Sequence, residues 1–168
     1  MKAITMIATS RFGRSSVMAP LTKLDLPGTG IDVDFASGPT LSPDGRRIVY
    51  VSKSRIWVRD LDQLVPRAVA DTASHTPVAW SPDSRSVVYA DSRKLWTIPV
   101  AAGGRPTAIC EIPGTGSILG ATWSRAGTIA FSVWRGAMYR APAAGGVAEL
   151  WIDIDPATTV DFHSPLWA

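Results

Sequence analysis

The feature that most constrains this chain is a phrase it repeats. LSPDG starts at Leu41, WSPDS at Trp80 and WSRAG at Trp123, and a further copy opens with PLW and ends at Trp167-Ala168. The landmarks lie 39, 43 and 44 residues apart. A second series keeps step with the first: RIW ends at Trp57, KLW at Trp96 and AMY at Tyr139, spaced by 39 and 43 residues. Self-similarity at roughly 40–45 residues marks an array of small, similar units. One such unit cannot bury its own faces, so neighbouring units must do it.

The second repeat shows what the unit is. PVAW is a short apolar run, and SPDS is turn chemistry, with Pro82 presetting φ and the Asp83 carboxylate able to accept backbone N–H groups. RSVVYA is β-branched and aromatic and reads as a second strand. DSRK turns the chain, LWTIPV is a third strand ended by Pro99, AAGG is a loop, and PTAICEI is a fourth, outer strand. Four antiparallel strands in this span make a propeller blade. GPTLSPDG, RRIVYVS, KS, RIWVRDL and PRAVA repeat the order before it, and GATWSRAG, TIAFSV, WRG, AMYRAP, AAGG and VAELWI repeat it after. In the third unit Arg125-Ala126 replaces Pro-Asp, which removes the carboxylate and predicts a looser blade.

The expected fold is therefore all-β, with residues 17–168 forming about three full blades and part-blades at both ends. Residues 1–16 read as a leader or as a strand of a composite blade that PLWA would complete. Propellers have roughly 4–8 blades. One chain closing a four-bladed ring, two chains closing a ring of six to eight, and an unclosed fragment are the possible outcomes. Homodimerisation is the expected one, because two half-rings around a two-fold axis bury both open edges with the same contact made twice.

SPDGRRIVYVS, IWVRDL, WSPDSRSVVYA, KLWTIPVAAGG, GTIAFS, MYRAPAAGG and HSPLW together resemble TolB-like and WD-like β-propeller repeats. They are most similar to the propellers attached C-terminally to bacterial serine/threonine kinases. The resemblance covers about residues 20–168. It implies a sensor, scaffold or protein-binding module, with any kinase chemistry elsewhere, since the chain has no Gly-rich phosphate loop after a strand and no HRD or DFG.

Composition narrows the partners. A net charge of +3, from 17 basic and 14 acidic side chains, is too weak and too scattered for a nucleic-acid footprint. No stretch reaches the ~20 apolar residues of a membrane span, and MKAITMIATSRFGR is too short and mixed for a secretory signal. The chain as it stands is expected in the cytoplasm. The single cysteine, Cys110, excludes an intrachain disulfide and reads as a small buried hydrophobe. Arg46, Arg47, Arg85 and Arg93 read as solvated surface side chains.

The chemistry-bearing candidates are the only two histidines. His75 in SHTPVAW and His163 in FHSPLW each show H-x-P just before an inner strand. A two-chain ring would bring four imidazoles to its axis. Neutral imidazole suits zinc and similar divalent transition metals, and Asp161 shares a side with His163 in an extended stretch. Such a site predicts a metal-dependent hydrolase of phosphoesters or carboxyl esters. The competing expectation is a non-enzymatic module that holds a protein or small ligand at the channel face. A third is an inert fragment of a larger sensor kinase. Asp32 with Asp34, and Asp153 with Asp155, read as solvated strand faces.

Overall fold

The computed structural model describes residues 38–72, 76–91, 93–114 and 117–155, with Ala157, Phe162 and Pro165. The expectations for residues 1–16 and for PLWA lie outside the described residues, apart from Pro165 itself.

Three four-stranded antiparallel meanders follow one another, with no helix among the described residues. Blade 1 comprises β1 (Thr40–Leu41), β2 (Arg47–Ser52), β3 (Arg55–Asp60) and β4 (Arg67–Asp71). Blade 2 comprises β5 (Ala79–Trp80), β6 (Ser86–Ala90), β7 (Lys94–Pro99) and β8 (Thr107–Glu111). Blade 3 comprises β9 (Ile118–Trp123), β10 (Thr128–Val133), β11 (Met138–Pro142) and β12 (Glu149–Ile152). Each sheet keeps its strands in chain order. The β1–β2 and β3–β4 connections therefore sit at one end of a blade, and the β2–β3 hairpin and the link to the next blade at the other.

The register explains how alternating side chains become two faces. Tyr50 pairs with Trp57, Tyr89 with Trp96 and Phe131 with Tyr139, the same position in each blade. Val49, Val51, Ile56 and Val58 of blade 1 pack on Trp80, Val87, Tyr89 and Ile98 of blade 2. Val88, Leu95, Ile109 and Cys110, on the other face of blade 2, pack on Ile118, Ile129 and Phe131 of blade 3. Central strands are thus buried on both faces, and β2, β6 and β10 read as nearly continuous apolar runs for that reason.

The SPD turns are closed by their own side chains. The Ser42 hydroxyl donates to Asp44 (2.5 Å), and the Asp44 carboxylate accepts the Arg46 amide (3.0 Å). Ser81 and Asp83 repeat this at 2.6 Å, with the Arg85 amide at 3.0 Å. Both serines also accept an amide from the following strand, Arg47 and Ser86, at 2.9 Å. In the third turn Ser124 accepts the Thr128 amide at 3.1 Å, one residue earlier than in the others. The third turn is shorter as well as lacking its carboxylate. All three keep one left-handed residue, Gly45 (φ 70°), Ser84 (φ 62°) and Gly127 (φ 79°).

A bulge interrupts each outer strand at the same place. Val69, Ile109 and Trp151 are the extra residues where β4, β8 and β12 pair with their inner neighbours. A bulge bends and twists an edge and so discourages strand addition. The landmark tryptophans do more than pack. Trp57 donates its indole N–H to the Ser52 carbonyl (3.2 Å), and Trp96 donates to the Asp91 carboxylate (2.7 Å).

Candidate functional site

Two adjoining depressions open at the SPD-turn end of blade 1 and of the seam between blades 1 and 2. One, about 490 Å³, is lined by Gly45, Arg46, Arg47, Asp60, Leu61 and Asp62. The other, about 430 Å³, is lined by Arg47, Asp60, Arg67, Arg85 and Ser86 with the Pro99–Ala101 stretch. They share Arg47 and Asp60, which form the wall between them.

Backbone pairing places these side chains. Arg47 opens β2 and Asp60 closes β3, and the two face each other in register. Arg47 Nε donates to Asp60 Oδ1 at 3.0 Å, and its Nη1 crosses the seam to the Ser84 carbonyl at 2.9 Å. Arg67, which opens β4, reaches the other Asp60 oxygen at 3.9 Å and donates to the Val100 carbonyl of blade 2. One aspartate thus holds two guanidiniums against the neighbouring blade. Arg46 and Arg85 occupy the same position in successive SPD turns and are exposed. Neither guanidinium has a hydrogen bond or ion pair among the described residues. The lining carries four arginines against two aspartates.

The turn carboxylates are not spare bases. The Ser42 hydroxyl, then the Arg46 amide and the nearby arginines, hold Asp44 below its ordinary value despite some desolvation. The Ser81 hydroxyl and the Arg85 amide do the same for Asp83. Both are ionised turn locks. Cys110 is buried, and burial followed by the Glu111 charge pushes its thiol up to about 11, so it is a protonated core residue.

His75, Asp161 and His163 lie outside the described residues. Among the described residues no group of three or more His, Cys, Asp or Glu side chains is placed to hold a metal. Next to His75, Thr76 is buried and clamps the end of β6, donating to the Ala90 carbonyl (2.8 Å) and accepting its amide (3.0 Å). Asp32 and Asp34 also fall outside the description. Asp153 and Asp155 are exposed and accept the amides of Ile154 and Ala157, each at 2.9 Å. The arginine groove escapes sequence reading because each arginine alone looks like a solvated turn residue. The available signal is the 39-residue interval between Arg46 and Arg85.

Solved structures share this architecture. TolB from Acinetobacter baumannii superposes with a TM-score of 0.55 at 14% identity, over 71% of this chain and 33% of that one. A TolB candidate from Agrobacterium tumefaciens gives 0.57 at 22% identity, over 74% and 50%. The Swd1 β-propeller domain of Myceliophteria thermophila gives 0.56 at 12% identity, over 70% and 37%. The chain therefore carries the TolB-like and WD-like β-propeller fold. It spans between a third and a half of the length of these structures. No family model and no curated protein matches it.

Proposed function

We propose that the chain is a non-enzymatic binding or scaffold module that takes an acidic protein segment in the groove between blades 1 and 2. Two copies of the chain complete the ring. The observation that supports the ligand class is the pair Arg46 and Arg85, whose guanidiniums are exposed and make no hydrogen bond or close ion pair among the described residues, though each acts electrostatically on the carboxylate of its own turn. Arg47 and Arg67, by contrast, share Asp60, which offsets one of their two charges, and hold the seam. Two exposed planar forks beside an apolar wall of Leu61, Pro99 and Val100 suit carboxylates carried on a peptide backbone. A groove at the turn end also differs from the channel face expected from the H-x-P segments.

Titration calorimetry with a hexaglutamate peptide tests this. Wild type binds, and binding weakens as salt is raised. Arg46→Ala/Arg85→Ala weakens it about tenfold or more, the scale of losing charge-assisted hydrogen bonds. Equal binding by both proteins overturns the groove. The metal-dependent hydrolase, with zinc or a similar metal on His75, His163 and Asp161, is the second reading and is supported by the paired H-x-P segments alone. Elemental analysis of purified protein decides it: stoichiometric transition metal lost in His75→Ala supports it, and metal-free protein removes it.

A further inference from the structure

Blade 3 is short of negative charge. Between Glu111 and Glu149 the sequence contains no acidic residue, while Arg125, Arg135 and Arg140 all fall in that stretch. Arg140 pairs with Glu149 at 3.3 Å, and the Arg135 guanidinium lies over the Trp134 ring at 5.8 Å. Arg125 is exposed and has no hydrogen bond, ion pair or ring contact among the described residues. Arg46 and Arg85 each act on the carboxylate of their own turn. The third turn, Ser124–Gly127, has no carboxylate for Arg125 to act on.

The three turns are held alike. The Ser42, Ser81 and Ser124 carbonyls each accept the amide three residues on, from Gly45, Ser84 and Gly127. The residue after the third strand then clips to the turn: Leu61 to the Arg46 carbonyl, Val100 to Arg85 and Ala143 to Gly127, at 2.8, 2.9 and 2.8 Å. Arg125 therefore sits at the same end of its blade as Arg46 and Arg85, at the corner where the first two turns have Pro43 and Pro82. The Asp44 amide reaches the Ser84 hydroxyl, and β9 lies against β5 and β6, so the turns follow one another along the inner edges of the blades. Packed sheets lie roughly 10 Å apart, so the first and third turns are about 20 Å apart, the full reach of about six extended residues. We propose that the acidic segment held between blades 1 and 2 runs on over the third turn, where Arg125 takes one further carboxylate. The inference rests on the groove reading above and deepens it by setting the length and path of the segment. Exchanging Pro-Asp for Arg-Ala costs the turn its carboxylate lock and gives the ligand path a third cation, with no acidic neighbour to compete for it.

The test is titration calorimetry with octaglutamate on wild type, Arg125→Ala, Arg105→Ala and Arg46→Ala/Arg85→Ala. Arg105, in the β7–β8 loop that leads to the outer strand, is also exposed and without a partner among the described residues, so it controls for charge alone. Both side chains are exposed, so each replacement leaves its blade folded. Arg125→Ala is expected to weaken binding about fivefold, the scale of one solvent-exposed ion pair, and Arg105→Ala less than about twofold. A loss in Arg105→Ala as large as in Arg125→Ala overturns the path and leaves diffuse attraction to a basic end. Arg125→Ala binding like wild type, with the double variant weakened, overturns the extension and leaves the groove standing. A double variant that binds like wild type overturns both.

Discussion

The two seams of this molecule share one apolar plan and differ in their polar stitching. At the first, the Trp80 indole donates to the Thr40 carbonyl (3.0 Å), the Asp44 amide to the Ser84 hydroxyl (3.0 Å) and Arg47 to the Ser84 carbonyl (2.9 Å). At the second, among the described residues, no side-chain hydrogen bond crosses, and the Gly146–Ile109 backbone bond stands with the apolar cluster. The cause is local. The third turn is one residue shorter, and Gly127 occupies the left-handed position that Ser84 fills in blade 2. Without a hydroxyl there, nothing meets the preceding turn. A single turn sequence thus decides whether a seam is locked in orientation or merely packed, and the ligand groove lies on the locked one.

The largest expected effect tests the packed seam. Phe131 is fully buried and stacks on Tyr139 at 5.9 Å. Phe131→Ala is expected to cost about 3–5 kcal/mol in denaturant unfolding; a cost near 1 would mean the second seam is not apolar in its energetics. Trp80→Phe removes the indole bond to Thr40 and should cost about 1–2 kcal/mol. The matching Trp123→Phe should cost less, because Trp123 makes no such bond among the described residues. Equal costs would erase the distinction between the seams.

Ser84 separates conformational strain from hydrogen bonding. Ser84→Ala keeps the left-handed backbone and loses the bond to Asp44, for an expected cost of about 1–3 kcal/mol. Ser84→Gly loses the same bond but relieves about 1 kcal/mol of left-handed strain. Alanine should therefore be the worse replacement in the same unfolding assay. The reverse order would show that the left-handed backbone at Ser84 carries no strain, and a cost near zero for Ser84→Ala would show that the hydroxyl does not stitch the seam.

Acid should loosen the three turns unequally. Asp44 and Asp83 have folded values below the ordinary 3.8, chiefly through the Ser42 and Ser81 hydroxyls. Asp91 is also lowered: burial opposes this, but the Arg93 and Lys94 amides and the Trp96 indole outweigh it. A lowered carboxylate adds stability that is complete above its unfolded value and is lost as pH falls through the folded one. Hydrogen exchange below pH 4 should therefore open the first two SPD turns before the Ser124–Thr128 turn, which has no carboxylate. The smallest effect is expected in the hairpin of Lys53 (φ 52°) and Ser54 (φ 55°). Lys53→Asn/Ser54→Gly suits two left-handed positions and should add about 0.5–1 kcal/mol.

Much of the fold was legible because its signals are local. RIVYVS, SVVYA and TIAFSV become central strands, Pro99 ends β7, and Ser-Pro-Asp closes its own turn. The bulges were not legible, since Val69, Ile109 and Trp151 look like ordinary strand residues until their partners are known. The groove was not legible either. Asp60 meets Arg47 and Arg67 through register and crosses to blade 2 through Ser84 and Val100, none of which spacing alone reveals.

The most direct measurement is amide chemical-shift mapping of isotope-labelled protein as hexaglutamate is added. Binding at the first seam predicts shifts concentrated on Arg46, Arg47, Arg85, Ser86 and Val100. Shifts centred instead on Thr76, at the opposite end of the blades and beside His75, would contradict the groove and move the site to the H-x-P face.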